Sequence, residues 1–153
     1  MLKRIIGKIW RLSPATVRAR FVRLTQQTFT VSVGAIVTNA EGKVLLLDHV
    51  LRPASGWGIP GGFINKNEQP AEAVKREICE EIGLEIENIE MVKAHTYKRH
   101  VEILFRAEAD GEGKVQSLEI KQVKWFSLNE MPQEMNRTQK QLIRQFAGGG
   151  KAE

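Results

Sequence analysis

Residues 70 to 83, PAEAVKREICEEIG, commit both sides of a helix. Pro70 suits the first helical turn, where its missing N–H is not needed, and Gly83 suits the residue just past the end. At 100° per residue Ala71, Val74, Ile78 and Ile82 fall within about an 80° arc, and Glu77, Glu80 and Glu81 fill a neighbouring arc of about 100°. The apolar arc needs a surface to pack on. The acidic arc is self-repelling, by roughly 0.2–0.5 kcal/mol for each i, i+3 or i, i+4 pair, and Glu80 and Glu81 sit near the negative end of the helix dipole. A solvated acidic face is the ordinary reading of such a run. A hard divalent cation held through carboxylate and carbonyl oxygens is the reading that turns the repulsion into binding.

The remainder of the chain provides that surface. The whole chain has 153 residues, 42% hydrophobic and 27% charged, which fits one globular domain and excludes disorder, a collagen repeat and low complexity. No stretch approaches the roughly 18 apolar residues of a membrane-spanning helix. Cys79 is the single cysteine and His49, His95 and His100 are not in ligand spacing, so neither a disulfide nor a thiolate zinc site is expected, and a reducing cytoplasm fits. The net charge of +5 is unevenly placed. Residues 1 to 40 hold Lys3, Arg4, Lys8, Arg11, Arg18, Arg20 and Arg23 and no acid, leaving −2 for the rest. A nucleic-acid reader would spread its cations over a folded face with aromatics between them; here any contact with a polyanion falls to the first segment.

That segment, residues 1 to 27, reads as a short basic helical arm. Leu2, Ile5, Ile6, Ile9 and Trp10 make one helical stripe opposed by Lys3, Arg4, Lys8 and Arg11. Ser13 is expected to cap a second helix that opens at Pro14 and runs to about Leu24, with Val17, Phe21 and Leu24 on its apolar side. Lys8 and Arg11 interrupt the apolar run that a secretory signal needs, although an acid-free Arg-rich amphipath has the look of an organelle transit peptide. Two partners suit the arm: an anionic membrane, or the domain or a second subunit in a homodimer. Val17, Phe21, Leu24 and the anchor Trp10 favour packing.

From Phe29 the pattern turns to short β-branched runs. Strands are expected at 29–37 and 44–47 around the turn Asn39-Ala40-Glu41-Gly42, then a Pro- and Gly-rich loop at 51–62 with Trp57 as its apolar anchor. Further strands are expected at 91–97, 101–109, 115–120 and 123–126, with a turn at Gly111-Glu112-Gly113. A last helix over about 133–146 buries Leu142, Ile143 and Phe146, and residues 148–153 form a tail. This order of elements reads as a mixed α/β sandwich spanning 28–147.

Between Gly62 and Leu84 the residues Gly62, Glu68, Arg76, Glu77, Glu80, Glu81 and Gly83 fall in the spacing G-x5-E-x7-R-E-U-x-E-E-x-G-U, with Ile78 and Leu84 at the apolar positions. Seven fixed residues at about 6% background each, plus two apolar positions, would match by chance on the order of once in a billion windows. The segment resembles the box of the Nudix hydrolase (MutT-like) superfamily without a departure. The lead-in Trp57-Gly58-Ile59-Pro60-Gly61-Gly62 and the exit segment from Trp125 to Pro132 extend the likeness from about Phe29 to Phe146.

The resemblance implies an α/β/α Nudix sandwich with a mixed sheet; the helical arm that precedes it lies outside the resemblance. It implies that Mg²⁺ or Mn²⁺ is held by the Gly61 carbonyl and the carboxylates of Glu77, Glu80 and Glu81, and that a Glu68–Arg76 salt bridge orients the helix. Glu77 matches a position proposed as general base in some members. Glu119, six residues before Trp125, falls where MutT-like enzymes carry a further metal-binding or catalytic acid, and reads equally as an exposed strand charge. Glu102 reads as structural, and Arg52, Lys98, Arg99 and His100 as solvated bases that could reach phosphate. The implied reaction is attack of water on a phosphorus of a nucleoside diphosphate derivative. The proline of the ADP-ribose pyrophosphatase subgroup, which would fall near Arg99 and His100, is absent, Tyr97 is too early for the diadenosine polyphosphate subgroup, and NADH and coenzyme A motifs are missing. These departures favour a small nucleoside di- or triphosphate. The alternative is a non-catalytic nucleotide-binding domain tethered by its arm, although degenerate members lose box carboxylates and none is lost here.

Overall fold

The computed structural model describes residues 2–52 and 55–148. Pro53 of the expected loop, residues 149–153 of the expected tail and the side chain of Leu2 lie outside that description. The chain divides into two compact units, one ending at Thr30 and the other starting at Val31.

The first unit holds two helices, α1 (Leu2–Leu12) and α2 (Ala15–Thr25). The corner between them corrects the sequence expectation. Ser13 caps nothing on α2; its hydroxyl donates to the Ile9 carbonyl at 2.8 Å, because the last carbonyls of α1 lack partners within their own helix. Pro14 stands at the N-cap with φ −56° and no side-chain bond, and its carbonyl accepts from the amides of Val17 and Arg18 at 3.0 and 3.1 Å. Trp10 and Phe21 meet edge to face at 5.7 Å, linking the two helices.

The second unit is a seven-stranded mixed sheet between two helices. Its strands are β1 (Thr30–Thr38), β2 (Val44–His49), β3 (Trp57–Gly58), β4 (Gly61–Phe63), β5 (Glu87–Tyr97), β6 (His100–Glu108) and β7 (Ile120–Phe126). Its helices are α3 (Pro70–Ile82) and α4 (Arg137–Ala147). The spatial order is β3-β2-β1-β6-β5, with β4 paired to β1 and β7 to β2.

Period-two alternation in the central strands builds both layers. Val33, Ala35, Val37, Leu45 and Leu47 join Val74, Ile78 and Ile82 of α3 in one core. Their neighbours Ile36, Val44 and Leu46 join Ile143 and Phe146 of α4, with Met135, in the other. A strand buried on both faces reads as a near-continuous apolar run, which is what VGAIV and VLLL are. The expected sandwich is the one observed, and α3 ends at Gly83, whose φ of 65° is the left-handed C-cap the sequence reading required.

Three local expectations fail for identifiable reasons. Residues 115–119 form no strand: Gly113, at φ 55°, turns the chain under α3. There the amides of Lys114, Gln116 and Ser117 donate to the Ile82 and Glu81 carbonyls at 2.7, 2.8 and 3.3 Å. The orphan carbonyls at the end of α3 outbid the sheet for those donors. Helix α4 starts at Arg137 instead of 133, because the Asn136 side chain accepts from the amides of Thr138 and Gln139 and fixes the start there. The loop at 51–62 contains β3 and the first residues of β4, which are too short to show a period.

Candidate active site

The site is assembled where β4 is laid between β1 and the first turns of α3. Ser32, Val33 and Gly34 pair with Phe63, Gly62 and Gly61. Gly61 has φ 147°, and a Cβ there would land on the Val33 carbonyl; a Cβ on Gly62 would land on the carboxylate of Glu77. Glycine at 61 lets β4 lie against β1, and glycine at 62 lets the Glu77 carboxylate lie directly against β4.

Arg76 ties this corner together. Its Nε and Nη2 donate to the two oxygens of Glu68 at 2.6 and 3.0 Å, a bidentate pair, and Nη2 also reaches the Phe63 carbonyl at 3.1 Å. Its Nη1 lies between Glu77 and Glu80, at 2.9 and 3.0 Å. Glu68 accepts a further bond from the Asn65 amide at 2.8 Å. The bond from Arg76 holds the Glu68 carboxyl below its usual range, and the same bond raises the Arg76 guanidinium further above its own. The guanidinium therefore stays charged and fixes the phase of α3 against β4.

The three helix carboxylates, alike in sequence, are unequal in place. Glu80 is mostly exposed, Glu77 is half-buried, and Glu81 is buried at 7% exposure. Burial is the main force lifting the Glu81 carboxyl to about 7; Glu77, and more weakly Glu119, add to it, while a bond from the Gly61 backbone and the charge of Arg52 pull the other way. His49 Nδ1 approaches Glu81 Oε1 at 3.9 Å. Burial, with the nearby Arg52 charge, pushes His49 down to about 4, so this contact is no ion pair at neutral pH. Sequence spacing had given His49 no role.

Glu81 Oε2 and His49 Nε2 are buried without a hydrogen-bond partner, and unsatisfied groups of this kind cost free energy. Among the described residues no three His, Cys, Asp or Glu side chains already converge as a metal cluster; Arg76 holds Glu77 and Glu80 instead. The donor set is nevertheless all hard oxygen, and an orphaned buried carboxylate oxygen beside Gly61 fits a divalent cation of the Mg²⁺ class. Glu119 is exposed in the turn before β7, not in a strand.

A cleft of about 700 Å³, lined by Trp57, Ile59, Tyr97, Leu142 and others, shares Arg52, Ile59 and Glu102 with a smaller recess of about 140 Å³ at Gly61, Gly62 and His100. Arg52 thus stands where the two meet. Its Nη2 donates to the Ile59 carbonyl at 3.0 Å, and a side chain on Gly58 would collide with it. Trp57 is fixed edge to face on Phe126 at 5.1 Å. Glu102 faces His95 at 3.4 Å across the hairpin and lines both cavities. The two-residue turn Lys98-Arg99 pairs Tyr97 with His100 and so His95 with Glu102, a register the sequence would have given had the hairpin been counted through. His100 accompanies Ser32 at 2.9 Å and Phe63 at 6.0 Å, whereas Lys98 lies over the Tyr97 ring at the hairpin end; neither Lys98 nor Arg99 lines these cavities.

With this geometry the chain matches the family described as NUDIX domain over residues 28–146. It is 31% identical over 109 residues to a MutT-like protein of Streptomyces ambofaciens, a match covering 69% of each chain. It is 41% identical over 64 residues to an RNA pyrophosphohydrolase of Pseudomonas putida, covering 42% of this chain and 39% of that protein. Among solved structures, a MutT NUDIX hydrolase from Burkholderia pseudomallei aligns at TM-score 0.67 and 28% identity, over 78% of this chain and 99% of that one. The NUDIX domain of Shewanella oneidensis NrtR, complexed with ADP ribose, aligns at TM-score 0.74 and 24% identity over 88% and 96%, a likeness of fold.

Proposed function

Because this chain belongs to the Nudix hydrolase family, we propose that it cleaves a phosphoric anhydride bond in a nucleoside di- or triphosphate, or a nucleoside diphosphate derivative, with Mg²⁺ or Mn²⁺, in the cytoplasm. The observation that carries this reading is the Arg76 network, which ties Glu68, Glu77 and Glu80 together where Glu77 meets Gly62, on the same helix as the buried Glu81. In this reading the Gly61 carbonyl and the carboxylates of Glu77, Glu80 and Glu81 would hold the cation. A bound divalent ion neutralises charge on the phosphate oxygens and lowers the pKa of water.

The chain's own residues then divide the work. Arg76, locked to Glu68, keeps α3 in register so that the carboxylates do not reorganise during reaction. Arg52, at the mouth of the larger cleft, offers its remaining guanidinium donors to phosphate oxygens. Trp57 and Tyr97 supply flat apolar area for a nucleoside, and buried Ile59 and Leu104 exclude water beneath it. Glu77 accepts the proton of the attacking water, and Glu119, exposed near Glu81, is the competing acceptor. The single Cys79, free and exposed, accords with a reducing cytoplasm.

A panel of nucleoside di- and triphosphates and nucleoside diphosphate derivatives, incubated with Mg²⁺ in ¹⁸O-water, tests the reading. Products carrying ¹⁸O on phosphate are expected. Binding without turnover across the panel would leave the non-catalytic alternative in its place.

A further inference from the structure

The function proposed above leaves α1 unused. At 100° per residue its apolar side chains Ile5, Ile6, Ile9, Trp10 and Leu12 occupy about 160° of the circumference. Lys3, Arg4, Lys8 and Arg11 occupy a separate arc of about 140°, with Gly7 among them. The segregation is complete. Ile5, Ile6 and Ile9 are 48, 57 and 62% exposed, and Leu12 is 85% exposed. The side of α2 that the sequence reading assigned to packing is exposed as well, at Val17, Phe21 and Leu24.

No carboxylate lies within the first 40 residues to neutralise the seven cations. Two such arms meeting face to face would set +7 against +7, which disfavours a second copy as the cover. A nucleic acid would engage the cations and leave the wide apolar arc in water. One environment satisfies both arcs at once: the plane between lipid headgroups and acyl chains, with anionic headgroups opposite the lysines and arginines. We propose that α1 is a reversible in-plane anchor that docks this protein on an anionic phospholipid surface. A single helix of eleven residues buries too little to hold permanently, so binding falls steeply as salt screens the cations.

The test is co-sedimentation of the full chain with phosphatidylcholine vesicles that contain or lack phosphatidylglycerol. Binding is expected only with phosphatidylglycerol, at least tenfold weaker in high salt, and lost in either I6D/I9D or K3Q/R4Q/K8Q/R11Q, both of which keep wild-type nucleotide turnover. Equal binding to neutral vesicles, or wild-type binding by I6D/I9D, overturns the proposal. So does a lipid-free dimer that I6D/I9D dissociates, which would assign the face to a second copy. A lower melting temperature in lipid-free buffer on deleting residues 2–25 would assign it to the domain and overturn the proposal too.

Discussion

Helices α1 and α3 share a pattern, an apolar arc beside a stripe of one charge, and differ in what meets each arc. In α3, Ala73, Val74, Ile78 and Ile82 are buried against the sheet and Arg76 engages Glu77 and Glu80 of the acidic stripe. In α1 the isoleucines are exposed and the cations have no acid within their own unit. Periodicity therefore says that a helix has a side to cover and nothing about the cover. What separates the two is context in the chain: α3 has a capping glycine, a preceding Gly-Gly strand and an arginine spaced to reach Glu68, and α1 has none of these.

The largest test of that difference is catalytic. Glu77→Gln and Glu81→Gln are expected to lower kcat by about 10²–10⁴-fold at saturating Mg²⁺, since the amide keeps the shape and loses the charge, with Glu80→Gln similar and Glu119→Gln smaller. Replacing the four cations of α1 leaves kcat unchanged. Steady-state kinetics on the soluble chain read both.

Packing gives the next contrast. Ile78→Ala, at a fully buried position, should cost about 3 kcal/mol. Ile9→Ala, 62% exposed, should stay within about 0.5 kcal/mol. Urea midpoints of the two variants measure it, and equal losses would mean that α1 is covered as α3 is.

A finer test concerns the buried pair behind α3, without metal. Glu81, raised from 4.5 to about 7, contributes fully below pH 4.5 and loses its contribution as pH rises through 7. His49, lowered from 6.5 to about 4, contributes fully above pH 6.5 and loses it as pH falls through 4. In the wild type the two trends oppose each other across the same window: folding in effect moves one proton from imidazole to carboxylate, and stability stays nearly level. His49→Gln should therefore lose stability from pH 4.5 to 7, and Glu81→Gln from pH 6.5 to 4, each by up to about 3 kcal/mol. Denaturation in EDTA at a series of pH values gives the slopes; parallel slopes would refute the pairing. Smallest of all, Asn136→Ala should cost about 1 kcal/mol by uncapping α4, visible in the melting temperature.

What could be read from the sequence was local and strongly patterned. The α3 periodicity, Gly83 as its cap and the strands that hold VGAIV and VLLL all needed only neighbours in the chain. What escaped depended on partners far away. The strand expected at 115–120 failed because Lys114, Gln116 and Ser117 serve the end of α3, more than 30 residues back. Arg52 looked like one more solvated base because only the fold puts it under Gly58 and beside Glu81 and Glu102. The inequality of Glu77, Glu80 and Glu81 is likewise a product of tertiary burial that no spacing encodes.

The central claim is that the carboxylate stripe of α3 is a functional metal seat. Turnover of a nucleoside triphosphate against free Mg²⁺, from EDTA to saturation, in the wild type and Glu81→Gln, tests it most directly. Expected are no turnover in EDTA, saturable activation by Mg²⁺ in the wild type, and a kcat at least 100-fold lower in Glu81→Gln at saturating Mg²⁺. Turnover in EDTA, or a Glu81→Gln variant with wild-type kcat and Mg²⁺ dependence, would contradict it.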